Sequence, residues 1–182
     1  MFLTDLESMA ILKQGQSRSI NWENRKGEKG RGGMASGPLG PSRKGSPCIP
    51  LIKAGETVTL AEIEGPAVIQ HIWMTVTGQV SPANRYILRD LVLRMYWEEE
   101  DAPSVESPLG DFFCCGFGVA CQVNSLPVAV NPTRGFNLYF PMPFRKKARI
   151  TLENQCDEDV HAFFYQVDYC LTEQLPPDAG YF

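Results

Sequence analysis

From residue 56 onward the chain alternates between short apolar-rich runs and breaks made of Gly, Pro and Asn. Thr57–Ile63 is rich in β-branched residues, which fit a pleated, half-buried surface. Ala67–Val76 (AVIQHIWMTV) is mostly apolar throughout, the pattern of a strand covered on both faces. Leu88–Trp97 alternates, with Leu91, Leu93, Met95 and Trp97 on one face and Asp90, Arg94 and Tyr96 on the other. Ser125–Val130 and Gly135–Phe140 are shorter runs. Arg145–Glu153 turns Ala148, Ile150 and Leu152 inward, and Val160–Leu171 aligns Phe163, Tyr165, Val167, Tyr169 and Leu171. A repeat of two is the signature of strands, because successive side chains leave opposite faces. About seven or eight strands with turn chemistry between them predict an all-β fold, an antiparallel jelly roll or β-sandwich over residues 56–182.

The first part of the chain reads differently. Leu3, Leu6, Met9 and Ala10 fall at helical spacing behind the capping candidates Thr4 and Asp5, which predicts a short N-terminal helix within residues 1–14. Residues 15–55 have almost no periodicity and are dense in Gly and Pro, as in Gly37-Pro-Leu-Gly-Pro41. They predict a long loop packed on the sandwich within a single domain. A loop of that length in a compact domain is functional or disordered, and the aromatic Trp22 beside Glu23 and Asn24 favours the ordered alternative.

Composition adds a boundary. The 182 residues, 43% hydrophobic and 21% charged, suit one soluble globular core. The net charge of −4 is unevenly spread: residues 16–45 carry seven Lys and Arg against Glu23 and Glu28, a local +5 that leaves about −9 on the remainder. An acidic body gives no expectation of a nucleic-acid or membrane partner. No apolar run approaches the roughly 20 residues that span a bilayer. The N-terminus carries acids where a signal peptide needs positive charge, so the expected location is cytoplasmic and the six cysteines are expected to be reduced.

Candidate chemistry narrows by elimination. Gly40-Pro-Ser-Arg-Lys-Gly45-Ser lacks the lysine that a phosphate-cradling loop needs after its last glycine, and no dinucleotide fingerprint follows a strand. The two histidines, His71 and His161, read as packing at or within strands, and without CxxC or HxxxH spacing neither a metal nor a cofactor is expected. Glu98-Glu-Glu-Asp101 reads as a solvated turn. Glu106 and Asp111 flank Pro108-Leu-Gly110 and lead into Phe112-Phe113, and Glu23 follows Trp22. Carboxylates among Pro, Gly and aromatics suit sugars, which are held by hydrogen bonds to hydroxyls and by ring faces against C–H surfaces. Trp22, Glu23, Glu106, Asp111 and Phe112 are therefore the candidate substrate-binding residues. Each has an alternative role in capping or packing a turn. No catalytic pair can be assigned from spacing.

Four stretches in order carry a family resemblance: Ser17–Gly33 (SRSINWENRKGEKGRGG), Gly65–Trp73 (GPAVIQHIW), Arg89–Trp97 continuing to Ser104–Phe113 (RDLVLRMYW, SVESPLGDFF) and Tyr139–Asn154 (YFPMPFRKKARITLEN). Across residues 17–154 the chain resembles the N-terminal part of the DUF2961 family, glycoside hydrolase family 172. The resemblance implies a jelly roll, homotrimers that pair into hexamers, and a retaining double displacement by two glutamates on fructofuranosyl linkages, difructose anhydrides included. It also implies a second jelly-roll half that carries those glutamates, so this chain is expected to be a truncated part and inactive alone. Two further readings stand beside it. One is a non-catalytic carbohydrate-binding or assembly module; the other is a structural protein whose basic loop docks an acidic partner.

Overall fold

A computed structural model describes residues 14–41, 45–76 and 85–182. The helix expected in the first residues lies outside the described residues. The rest is a two-layer antiparallel sandwich of the jelly-roll kind, as the alternating runs predict.

The stretch expected as a loop is in part strand. Gln16–Asn21 forms β1, Ser36–Gly37 and Gly40–Pro41 form the small hairpin β2–β3, and Ile49–Ile52 forms β4. β1 escapes a hydrophobic reading because its outward positions, Ser17, Ser19 and Asn21, alternate with only one strongly apolar inward residue, Ile20. Thr57–Glu64 forms β5 and Ala67–Val76 forms β6. Ile87–Asp90 is a single helical turn, α1, where a continuous strand was expected; the N–H groups of Arg89 and Asp90 both bond Tyr86 O, and the strand β7 begins at Leu91 and ends at Trp97. Val105–Pro108 is β8 and Leu109–Phe112 a second single turn, α2. Val123–Asn124, Val128–Val130, Phe136–Leu138 and Met142–Phe144 are β9 to β12, followed by the long strands β13, Lys147–Asn154, and β14, Val160–Leu171.

The larger sheet runs β1-β14-β6-β11-β10-β9, with β4 on β14 and β12 on β6; the smaller runs β5-β13-β7-β8. Their inner faces meet in one core. Leu60, Ile63, Leu91, Leu93, Met95, Trp97, Ile150 and Leu152 come from the small sheet, and Ile20, Ile69, Ile72, Met74, Phe136, Phe163 and Val167 from the large one.

The apolar run of β6 has a different cause from the one expected. In its pairing with β14, Asp168 lies opposite His71 and Tyr169 opposite Ile69, so Gln70 is an extra residue. This bulge switches the parity of the strand. Ala67 and Ile69 point inward before it and Ile72, Met74 and Val76 after it, which packs apolar residues close in sequence although only one face is in the core. The other face carries the half-buried His71, Trp73 and Thr75. The bulge therefore decides which side of the sheet receives the imidazole.

Candidate functional site

Trp22 and Glu23 sit in the turn that leaves β1. Asn21 Oδ1 accepts the N–H groups of Glu23 and Asn24 at 3.1 and 2.9 Å, an Asx turn that reverses the chain. The buried Asn24 amide then ties Ser19 O and Glu28 O at 3.1 and 3.0 Å and accepts Glu28 N–H at 2.9 Å. From this base the Glu23 carboxylate reaches across the Gly-rich segment, accepting Gly33 N–H on one oxygen and Ala35 N–H on the other, both at 2.5 Å. Trp22 is half-buried against the core with the Arg25 guanidinium 5.0 Å above its ring. Gly27 has no alternative residue here: its φ is +63° and a Cβ would lie 2.3 Å from the Tyr169 hydroxyl.

Asp111 and Phe112 occupy α2. Asp111 forms an ion pair with Arg89 of α1 through Oδ2, while Oδ1 is buried without a hydrogen-bond partner. The Phe112 ring stands edge-on to Phe113 at 5.1 Å and to Phe182 at 6.3 Å. Phe182 in turn packs on Phe140 at 5.6 Å, and its carbonyl accepts the Trp97 indole N–H at 2.9 Å. Arg145 donates to Ala179 O at 2.8 Å and stacks on Tyr181 at 5.3 Å. Residues 176–182 are thus drawn onto the sandwich, and Phe112, Phe140 and Phe182 form an aromatic shelf that starts one residue after Asp111 in α2.

Glu106 lies on the outer face of β8, the strand that leads into α2. Arg94 bonds Glu106 at 2.5 Å and Glu153 at 2.6 Å, so one guanidinium holds two carboxylates. The Arg94 hydrogen bond holds the Glu153 carboxyl below its ordinary value. A carboxyl so held is a poor proton donor, which argues against this pair as acid and nucleophile. On the same face Arg149 lies 3.9 Å over the Tyr96 ring.

The structure brings Asp111 and Phe112 together, and Trp22 and Glu23 together. It separates these last two from Glu106: β1 is an edge of the large sheet lying against β5, whereas β8 is the opposite edge of the small sheet.

Sequence reasoning missed a polar cluster on the outer face of the large sheet. His71 Nδ1 lies 2.9 Å from Asp168 Oδ2 and Nε2 lies 3.1 Å from Asn137 Oδ1. The Asn137 amide nitrogen donates to Gly135 O and Ala129 O at 3.0 and 3.3 Å, which fixes its oxygen as the acceptor toward His71. Both ring nitrogens therefore face acceptors, and the ring that satisfies both is the imidazolium. The Asp168 hydrogen bond raises the His71 pKa against the opposing effect of burial, and the Asn137 bond adds to the rise. Burial pushes the Asp168 carboxyl up, but bonds from His71 and Gln166 outweigh it and hold the group below its ordinary value. Tyr139 stacks on the imidazole at 4.7 Å and 15°. With both nitrogens engaged, His71 offers this face no free base.

Among the described residues no group of three or more His, Cys, Asp and Glu side chains is arranged to hold a metal ion. No described helix is long and apolar enough to cross a membrane. The family model described as GH172 domain-like matches residues 49–167. No curated protein matches the chain.

Proposed function

Because the chain belongs to the GH172 domain-like family, whose membership carries a carbohydrate-active role, we propose that it is the sugar-facing N-terminal part of a glycoside hydrolase acting on fructofuranosyl linkages. The observation that carries the reading is the Arg89–Asp111 pair one residue along α2 from Phe112, whose ring joins Phe140 and Phe182 in the shelf. A charged hydrogen-bonding group next to exposed ring edges is what a sugar requires, because its hydroxyls and its C–H faces are recognised by different chemistry.

Retaining hydrolysis needs two carboxyl groups about 5–5.5 Å apart, one of them able to give up a proton. The candidate carboxylates of this chain are committed elsewhere: Glu23 to backbone N–H groups, Glu106 and Glu153 to Arg94, Asp111 to Arg89. On this reading the reacting glutamates lie outside this chain, as the family resemblance implies, and the chain alone binds without turning over. A homo-oligomer completes the proposal, supported by Phe117, Leu126 and Val119 at 96%, 71% and 69% exposure.

Calorimetric titration with a difructose anhydride, paired with a product assay, tests the reading. Binding without product, weakened by Phe112→Ala and by Asp111→Asn, is the expected result. Product formation abolished by Glu106→Gln would return catalysis to this chain. Absence of binding to fructofuranosides, in a protein whose circular dichroism is that of a β-sandwich, would overturn the sugar reading.

A further inference from the structure

The segment between α2 and β9 carries three of the six cysteines, Cys114, Cys115 and Cys121. Cys115 is buried, and its N–H bonds Gly110 O at 2.7 Å, which fixes it to the start of α2. Cys121 is exposed, and its Sγ lies 3.6 Å from Cys115 Sγ. The Cys121 backbone N–H also points at that buried sulfur, at 3.5 Å.

A covalent bond between the sulfurs needs about 2.05 Å, so the pair must close by roughly 1.5 Å. The intervening residues permit this. Gly116 and Gly118 interrupt the segment, Gly118 already at φ +71°, and Phe117 between them is almost fully solvated. Cys114 is the poorer partner for Cys115, because adjacent cysteines bond only through a distorted peptide. Cys48, Cys156 and Cys170 stand before β4, after β13 and in β14.

We propose that Cys115 and Cys121 form an oxidisable dithiol, a modification site for low-molecular-weight disulfides of the glutathione class. In the first step the Cys121 thiolate attacks one sulfur of the small disulfide. A mixed disulfide forms, the reagent's S–S bond breaks, and one small thiolate leaves with a proton from water. In the second step Cys115 gives its proton to solvent and attacks the Cys121 sulfur, expelling the second small thiol. The two protein thiols together lose two electrons and two protons, which the two departing thiols hold. Exposure puts Cys121 first, and burial, which pushes the Cys115 thiol up, keeps Cys115 as the intramolecular partner that resolves the adduct.

The segment also meets Arg89. A Cβ on Gly118 would lie 3.0 Å from Arg89 Cγ, so the segment that the bond would tighten rests on the residue paired with Asp111. The thiol chemistry stands independently of the sugar reading.

The test is incubation of the full chain with oxidised glutathione, an acid quench, and thiol counting and mass measurement under denaturing conditions. The expected product has lost two of its six thiols, is lighter by two hydrogens, and maps to a peptide joining Cys115 to Cys121. Dithiothreitol restores all six. Cys115→Ser should leave a glutathione adduct on Cys121, and Cys114→Ser should form the bridge as the parent does. Six free thiols after incubation, an adduct on Cys121 of the parent that never resolves, or a bridge through another cysteine would each overturn the proposal. The parent protein decides the matter even where a variant folds poorly.

Discussion

His71 and Asp168 are 97 residues apart in sequence and directly opposed in the β6–β14 register. Their coupling makes a pH dependence whose direction is fixed. The folded pKa of His71 lies above 6.5, so its contribution to stability is complete below that pH and is lost as pH rises through the folded value. Asp168 lies below 3.8, so its contribution is present above that pH and is lost as pH falls through the lowered value. The pair therefore supports the sheet between those two values. An NMR titration of the His71 ring is expected to give a midpoint above 6.5. Asp168→Asn should lower it and cost about 1–3 kcal/mol of stability near pH 6. A parent midpoint below the unperturbed value would contradict the imidazolium.

Glu98 teaches a similar lesson at the same scale. Its place in an acidic run predicts a solvated turn, yet it sits at φ +59° and its carboxylate accepts the N–H groups of Arg145, Lys146 and Lys147 at 2.7, 2.6 and 3.3 Å. Burial pushes its carboxyl up, and these bonds outweigh that and hold it below its ordinary value. Glu98→Ala is expected to cost about 1–3 kcal/mol in urea unfolding at pH 7, a loss that shrinks as acid protonates the parent. Residue types announced the His and the Glu, but partners so distant in sequence did not announce themselves.

Among the elements, the long strands were legible because their repeat of two is set by the core they face. β6 and β14 have the limits that the hydrophobic pattern assigns. α1 and the Gln70 bulge were not legible, since Leu88 and Ile69 look equally apolar whether they continue a strand or interrupt it. The Gly-rich segment shows the same division. Its glycines predicted a loop, but its order comes from the Glu23 carboxylate spanning Gly33 and Ala35. Glu23→Ala should therefore speed tryptic cleavage after Lys26, Lys29 or Arg31 severalfold while leaving the sandwich folded. An unchanged cleavage rate would mean that the glycines hold themselves. Gly27→Ala acts on the element's attachment, forcing a left-handed φ and a clash with Tyr169, and should cost about 1–3 kcal/mol by urea denaturation.

For the molecule as a whole, the two sheets and the α2 insertion share one core, and the Phe113–Phe136 contact at 5.4 Å joins the insertion to the large sheet. Phe113→Ala should cost about 3–5 kcal/mol and shift the single urea transition to lower denaturant without splitting it. The candidate site was only partly legible at this scale. Asp111 and Phe112 were adjacent in sequence and stayed together, whereas Glu106 parted from Trp22 and Glu23 because strand order, which single-strand patterns do not encode, sets them at opposite edges. Those edges have a consequence of their own. Among the described residues the border strands are β1, β4, β9 and β12 in the large sheet and β5 and β8 in the small one. β9 has two residues, β4 and β12 carry Pro50 and Pro143, β8 ends in Pro108, which has no N–H to offer, β5 carries Glu62 and Glu64 with an irregular register against β13, and β1 carries Arg18. Short, charged, kinked or proline-stopped borders resist continuation into a neighbour's sheet. Two copies that meet rim to rim along the described strands find a poor template for fibre growth, and association between copies falls to loops and sheet faces.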